Sequence, residues 1–270
     1  MKFKNIIDMH AHTDNSFDGN HSTMYMCEKA CEKGLRAVAF TDHIEIDCYL
    51  ENRFDKTAVQ SFFEVSKARS AFKGKLVVCA GIELGEPTYD IATADKVISE
   101  RKYDFVIGSI HNLRGMEDFS YLDYLSCDVD KILSEYFDEL CALADWGKID
   151  TLAHMTYPLR YIVGKYNIPV DLSKYKDKID ETLKLLAEKD TALEINTSGL
   201  RQKLKATLPD EDIVRRFRQL GGKMVTIGSD AHYAEHLGSG IETGMEIAKR
   251  CGFDSVTLFQ SRNPIEIPIE

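Results

Sequence analysis

Residues 8–19 read "DMHAHTDNSFDG" and follow the apolar run "NII", so two histidines stand two positions apart where a short strand runs out. Side chains in a strand alternate between faces; His10 and His12 therefore project the same way and can share one ion. A His-x-His pair also arises by chance, and its meaning depends on where the other histidines fall. Outward from this stretch, short apolar runs alternate with longer amphipathic ones. Runs at 5–10, 36–43, 75–85, 104–111, 150–155, 191–199 and 224–232 read as strands. Stretches at 22–34, 56–74, 92–102, 130–147, 179–190 and 210–222 read as helices, the first capped by Ser22 or Thr23 and stopped at Gly34. A helix at 244–253 and a strand at 255–259 follow.

Seven strand–helix repeats of this length imply parallel strands joined by right-handed crossovers, either as a barrel or as an open doubly wound sheet. No GxGxxG follows the first strand, which weakens a dinucleotide-binding sheet. The residues at the strand ends favour the α/β barrel. Strand one ends in His10 and His12, strand two in Asp42 and His43, strand three in Glu83. Strand four ends in His111, strand five in His154, strand six in Glu194 or Asn196, strand seven in Asp230 and His232. Of the eight histidines only His21 and His236 lie elsewhere, and both read as solvated. A parallel barrel gathers these ends on one face, where active sites are built from the following loops. A lone histidine there is usually a hydrogen-bonded loop residue; six imidazoles with carboxylates converging on one mouth define a transition-metal site with nitrogen and oxygen ligands.

Composition bounds the rest. The 270 residues are 44% hydrophobic and 29% charged with six prolines, an ordinary globular balance. A net charge of −10 argues against broad nucleic-acid binding, which depends on Lys and Arg neutralising phosphates. It leaves room for a small anionic substrate, because metal ions supply local positive charge. No apolar run is long enough for a membrane helix, and "MKFKNIIDMH" lacks the apolar region of a signal peptide, so a cytoplasmic protein is expected. The seven cysteines (27, 31, 48, 79, 127, 141 and 251) are odd in number and irregularly spaced, and read as reduced thiols.

The ordered set "DMHAHTD" with a later Asp18, "FTDH", "GIELG", "GSIHNL", "LAHM" and "IGSDAHYAEHLGSG" resembles the PHP (polymerase and histidinol phosphatase) family, most of all its monofunctional histidinol-phosphate phosphatase branch. The similarity runs from residue 6 to about residue 252, and residues 1–270 are expected to form one such domain. The resemblance implies a distorted (β/α)7 barrel with two or three divalent ions (Zn, Mn or Fe) at the C-terminal strand ends. Carried over residue by residue, it implies His10, His12, Glu83 and Asp230 at a first metal. Glu83 as a bridge, with His111 and His154, would hold a second, and Asp18, His43 and His232 a third. Many relatives have histidine where this chain has Asp18; an aspartate is a competent hard ligand that favours manganese or iron over zinc. The implied activity is hydrolysis of L-histidinol phosphate in histidine biosynthesis, by a metal-bridging water held over Glu83 and Asp230 and activated as hydroxide.

A phosphate dianion needs donors beyond metal ions. Arg160 in "HMTYPLR" and Arg201 in "INTSGLR" are the candidates, with Arg114 in "NLRG" a weaker third. No GxSxG context marks Ser109, Ser198 or Ser229 as a nucleophile. The same metal core serves nucleotides and phosphotyrosine peptides, so a different phosphoester remains the alternative. Selectivity is expected in the loops at 44–56 and 112–128, where Glu45, Asp47 and Phe119 are open possibilities. An inactive PHP module, as in some polymerases, would have lost several of the nine ligand positions, and here each holds a competent ligand. A binuclear amidohydrolase would place a lysine, not Glu83, at the bridging strand end. Oligomeric state is open.

Overall fold

The computed structural model describes residues 3–270. The first strand, β1 (Ile7–Ala11), leads through a polar connection over residues 12–22 to α1 (Thr23–Glu32), capped by the Ser22 hydroxyl. Strand two of the sequence forms as two short segments, β2 (Ala37–Phe40) and β3 (His43–Glu45), and precedes α2 (Phe54–Ala71). Next come β4 (Val77–Gly85), α3 (Ile91–Glu100), β5 (Phe105–Ser109), α4 (Val129–Trp146) and β6 (Thr151–Leu152). After the short α5 (Leu159–Ile162) follow α6 (Lys176–Glu188), β7 (Ala192–Asn196), α7 (Ser198–Arg201), α8 (Glu211–Gln219) and β8 (Val225–Gly228). The chain ends with α9 (Ile241–Arg250), β9 (Ser255–Gln260) and β10 (Asn263–Pro268).

The parallel strands run in the order β1-β2-β4-β5-β6-β7-β8, with β3 continuing the β2 position against the far half of β4. The two outermost strands meet at their C-terminal ends: the Asp230 amide donates to the His10 carbonyl (2.8 Å) and the His12 amide to the Ala231 carbonyl (2.9 Å). Asp8 stitches the same seam, accepting from the Ser229 and Gly238 amides at 2.8 Å each. The seven-strand barrel expected from the sequence is therefore present and nearly closed. Its strands are buried on both faces, which is why they read as apolar runs rather than alternating ones. Outside, α4 packs on α6, α6 on α8 and α8 on α9.

One expectation needs correction, and one is placed by the structure. The predicted strand at 150–155 pairs over only two residues, because the chain leaves the sheet before His154, whose φ is +22°. The strand expected at 255–259 is present and lies outside the seven-strand barrel. It forms an antiparallel hairpin with β10 and lays Phe259 on Phe105 at the N-terminal end of the barrel, ring centroids 5.1 Å apart. Its two-residue turn, Ser261 and Arg262, has φ of +50° and +63°, the pattern of a hairpin turn that matches strand twist. Neither residue is glycine; both turn residues are tied to the barrel floor, the Ser261 amide to Asp104 and the Arg262 guanidinium to Asp150.

Candidate metal centre

Strand pairing alone brings the first ligands together. His43 lies directly opposite Glu83 in the β3–β4 register, and the β1–β8 closure sets His10 and His12 beside Asp230. Two glycines make room for this convergence. A Cβ at Gly228 would lie 2.3 Å from the His10 Cβ and 2.4 Å from a Glu194 oxygen. One at Gly19 would lie 1.7 Å from the Thr13 carbonyl oxygen, so the turn carrying Asp18 could not fold back as it does.

Four donor atoms define the deepest subsite. His10 Nε2 is 3.1 Å from His12 Nε2 and 3.1 Å from Glu83 Oε2; His12 Nε2 is 3.4 Å from Glu83 Oε2 and 3.6 Å from Asp230 Oδ1. An ion about 2.0–2.1 Å from each of four tetrahedral ligands separates them by roughly 3.4 Å. The other Glu83 oxygen, Oε1, faces His111 Nε2 (3.1 Å) and His154 Nε2 (2.8 Å). The third grouping sits nearest the mouth: His232 Nε2 is 2.9 Å from Asp18 Oδ2, His43 Nε2 is 3.8 Å from Asp18 Oδ1, and His12, His43 and His232 offer nitrogens within 4.8 Å of one another. Glu83 thus touches the first two groupings and lies 3.4 Å from His43 Nδ1 of the third.

The ring nitrogens turned away from the cluster show how the imidazoles are set. His10 Nδ1 donates to Glu194 (2.7 Å) and His232 Nδ1 to the Asp230 carbonyl (3.2 Å). The Ser16 hydroxyl donates to Asp42 (2.9 Å), so it can only accept from His12 Nδ1 (3.1 Å). His111 Nδ1 faces Glu45 at 3.3 Å. With a metal in place, Nδ1 of these four rings would keep the proton and Nε2 would present a lone pair inward, the arrangement that metal-binding histidines adopt. His43 Nδ1 and His232 Nε2 are buried without a hydrogen-bond partner although each has a carboxylate oxygen 2.9 Å away. The residues fit divalent ions.

Electrostatics agree with the geometry. Burial alone would raise Glu83, but His10, His43 and His111 around it hold its carboxyl well below the usual range. Asp230 is likewise held well down against burial by His10, Arg160 and His232. Burial, reinforced by His232 and His43, pushes His12 well below the ordinary imidazole value. Glu86 is driven the other way by burial and the neighbouring Glu45, and it accepts from the His111 amide. Asp230 sits at φ +52°, a left-handed conformation held by Arg201, which donates to the Ser229 carbonyl (2.5 Å) and the Asp230 carbonyl (2.6 Å).

A cavity of about 220 Å³ opens above the cluster, lined by Asp18, His43, Glu83, His111, His154, Asp230 and His232 on one side. Arg160 lines it too, bonded through one nitrogen to Ser198 Oγ (2.6 Å) and Asp230 Oδ2 (2.9 Å) while its Nε is buried without a partner. Arg201 lines an adjoining groove with Arg160, Gln202 and His236 instead. Arg114 points away, bonded to the Thr88 and Tyr89 carbonyls. Of the loop possibilities, Glu45 lines the cavity, Asp47 accepts from Asn112 outside it, and Phe119 is wholly buried. Asp42 is not a ligand: Thr13, Ser16 and Ser61 hydroxyls saturate it. Sequence reasoning missed Ser16 and the orienting roles of Glu194 and Glu45. Only Glu194, at a strand end, carried a positional signal.

The barrel, the strand-end histidines and the glutamate they share define a class, and the chain belongs to it: a family model described as PHP domain matches residues 8–198. The chain is 30% identical over 261 residues to the probable histidinol-phosphatase of Clostridium acetobutylicum, an alignment covering 95% of this chain and 98% of that one. It is 27% identical over 257 residues to the histidinol-phosphatase of Lactococcus lactis, covering 94% of each. The crystal structure of a Lactococcus lactis histidinol phosphate phosphatase, complexed with zinc, L-histidinol and phosphate, shares the fold, with a TM-score of 0.81 at 24% identity over 97% of this chain and 99% of that chain.

Proposed function

We propose that this protein is a metal-dependent phosphomonoester hydrolase that converts L-histidinol phosphate to L-histidinol and phosphate in histidine biosynthesis. The observation that carries the proposal is the convergence of imidazole nitrogens and two depressed carboxylates beneath a cavity that a part-buried arginine also lines. His10, His12, Glu83 and Asp230 would hold one ion; Glu83, His111 and His154 a second; Asp18, His43 and His232 a third, with zinc, manganese or iron as the candidates. When bound, such ions neutralise phosphate charge and make water a competent nucleophile near neutral pH. Glu83 and Asp230 frame the place that water would take.

The chain's own groups do the remaining work. Arg160 lines the cavity, fixed through one nitrogen by Ser198 and Asp230, and brings a phosphate oxygen a guanidinium that remains charged at any working pH. Arg201 adds positive charge behind Asp230 while holding that residue's backbone. The cavity is smaller than the roughly 300–1,000 Å³ of sites for drug-sized ligands, which favours a small metabolite over a nucleotide or phosphopeptide. The acidic composition points away from a nucleic-acid partner. Free thiols at all seven cysteines suit the reducing cytoplasm, where we place the reaction. Among the described residues no helix is long and apolar enough to cross a membrane.

The test is phosphate release from L-histidinol phosphate, phosphotyrosine and a nucleotide monophosphate, on protein whose metal content has been measured. Selective release from L-histidinol phosphate, lost on chelation and in Asp230→Ala, is expected, with Arg160→Ala lowering kcat/KM by about 100-fold. Metal-dependent release without selectivity would replace the substrate and keep the hydrolase. A protein that takes up no metal would overturn both.

A further inference from the structure

The cavity over the metal groupings does not end at Arg160. That side chain, with Asp230 and His232, also lines a space of about 280 Å³ that reaches Arg201, Gln202 and His236. Beyond Arg160 and Tyr161 a further space of about 400 Å³ reaches Lys165 and Lys203. All three share Arg160, so together they form one groove leading from the metal groupings to the outer surface. Its banks are the segments that follow β6 and β7. Gly164 lets them touch: a Cβ there would lie 2.4 Å from the Arg160 carbonyl oxygen and 3.1 Å from the Leu204 amide nitrogen. Each bank is also tied to itself, the Lys165 amide donating to the Tyr161 carbonyl (2.9 Å) and the Lys205 amide to the Gly199 carbonyl (3.0 Å). Lys165 and Lys203 therefore stand beside the contact, one on each bank, on a fixed backbone.

The charge of this groove is opposite to that of the chain, which carries a net −10. Four cations line it, Arg160, Arg201, Lys165 and Lys203, against one carboxylate, Asp230, which Arg160 already holds. On the outer helices, lysines sit beside carboxylates: Lys174 by Asp130, Lys178 by Asp138 and Lys189 by Asp145. Lys165 and Lys203 are exposed, and among the described residues neither has a carboxylate partner. Arg201 bonds only to the Ser229 and Asp230 carbonyls, which leaves its charge uncancelled. The other side of the mouth is acidic, with Asp18 and Asp118 lining the cavity there. A dianion nearing the mouth is repelled over that side and attracted over the groove; charges in a concave, partly dry channel act on an approaching ion more strongly than the same charges on open surface.

We propose that Lys165 and Lys203, on the two banks of this groove, form an outer capture site for phosphate dianions, through which the phosphoester approaches the metal groupings and phosphate leaves them. The lysines touch no reacting atom. They raise the local concentration of the anion and hand it to Arg201 and Arg160 further in. For its substrate this rests on the hydrolase reading above; for its charge it rests on the groove alone.

The experiment uses the metal-loaded whole protein, with metal content measured for every variant. Lys165→Gln and Lys203→Gln are combined, and Lys73→Gln with Lys75→Gln, in the turn between α2 and β4 at the floor of the barrel, removes the same charge elsewhere. Phosphate release from L-histidinol phosphate and calorimetric binding of inorganic phosphate are followed from about 0.02 to 0.3 M salt, a range over which screening of exposed charges becomes strong. At low salt the groove pair should lower kcat/KM by roughly 3- to 10-fold through KM, leave kcat unchanged, and weaken phosphate binding by a similar factor. At high salt it should converge on the native protein, which a damaged fold would not do. Lys165→Arg with Lys203→Arg should behave as native. A groove pair equal to native at low salt, a deficit that persists at high salt, or an equal deficit in the floor pair would overturn the capture site and leave the hydrolase standing. If no phosphoester is turned over, the hydrolase reading falls and phosphate binding decides the groove alone: weakened in the groove pair at low salt only, the site stands; unchanged, it falls too.

Discussion

The two ends of the barrel are built from the same materials and resolve them differently. At the N-terminal end Asp104 and Asp150 are buried, and each is satisfied. Asp104 accepts from the Ala80 and Ser261 amides and from Arg69; Asp150 accepts from the Val106 amide and Arg262. At the C-terminal end Glu83 and Asp230 are also buried, but the neighbours of Glu83 are imidazoles, which can exchange a proton for a metal ion, rather than permanently charged arginines. A buried carboxylate with hydrogen-bonded cations fastens a structure, whereas one facing imidazole nitrogens is complete only when a cation arrives. The floor is finished by the chain itself, and the mouth is left for a ligand to finish.

The largest effect should come from removing the residue that the metal groupings share. Glu83→Ala takes a donor from two groupings at once, and should lower kcat by roughly a thousandfold or more together with bound metal per chain. Full metal content and activity in that variant would erase the distinction between the two ends.

A pH experiment sharpens the same contrast. Burial opposes the charge on His43, yet Glu83 and Glu45 outweigh it and raise its pKa to about 9; Glu194 and Glu83 raise His10, and Glu45 and Glu83 raise His111. Without metal these rings bind protons more tightly folded than unfolded. Their contribution is therefore fully present below about 6.5 and is lost as pH rises through about 9. Metal-free protein should lose stability over that window, on the order of 3 kcal/mol from His43 alone. Metal-loaded protein should not, because ions take the place of the protons, and loading near pH 7.5 should release protons to the buffer. Thermal melts across pH 6.5–9 with and without chelator measure this; a metal-free melting temperature that is flat or rising would contradict it.

The smallest effect belongs to the floor. Arg262→Ala leaves Asp150 with the Val106 amide alone and should cost about 1–3 kcal/mol in denaturant unfolding, with metal content and turnover per folded molecule unchanged. A loss of metal in this variant would mean that the two ends are coupled.

How much of this could be read beforehand differs residue by residue. His10, His12, Glu83, His111, His154 and Asp230 were legible because each closes an apolar run, and parallel strands bring such positions to one rim. Asp42 looked equivalent and is not, since the hydroxyls that saturate it come from the β1 loop and from α2. The shortened fifth strand and the hairpin under the barrel were illegible for a related reason. A short apolar run fixes burial, but its partner strand and pairing direction are set by what the rest of the chain leaves uncovered.

By itself the sequence determined the number and direction of the strands, the ends on which imidazoles and carboxylates fall, and the balance of charge, because periodicity and composition are properties of the chain taken locally. Only the tertiary structure decided which nitrogen of each imidazole faces the cluster, which arginine faces the cavity, and which lysines flank it without a carboxylate. Those choices depend on acceptors such as Glu194, Ser16 and Glu45, and on the close approach of two loops at Gly164. The pairs His10–Glu194 and His111–Glu45 lie 184 and 66 positions apart in sequence. Hydrogen bonds of that span have no local signature; they exist only once the barrel has closed and water has been excluded from its mouth.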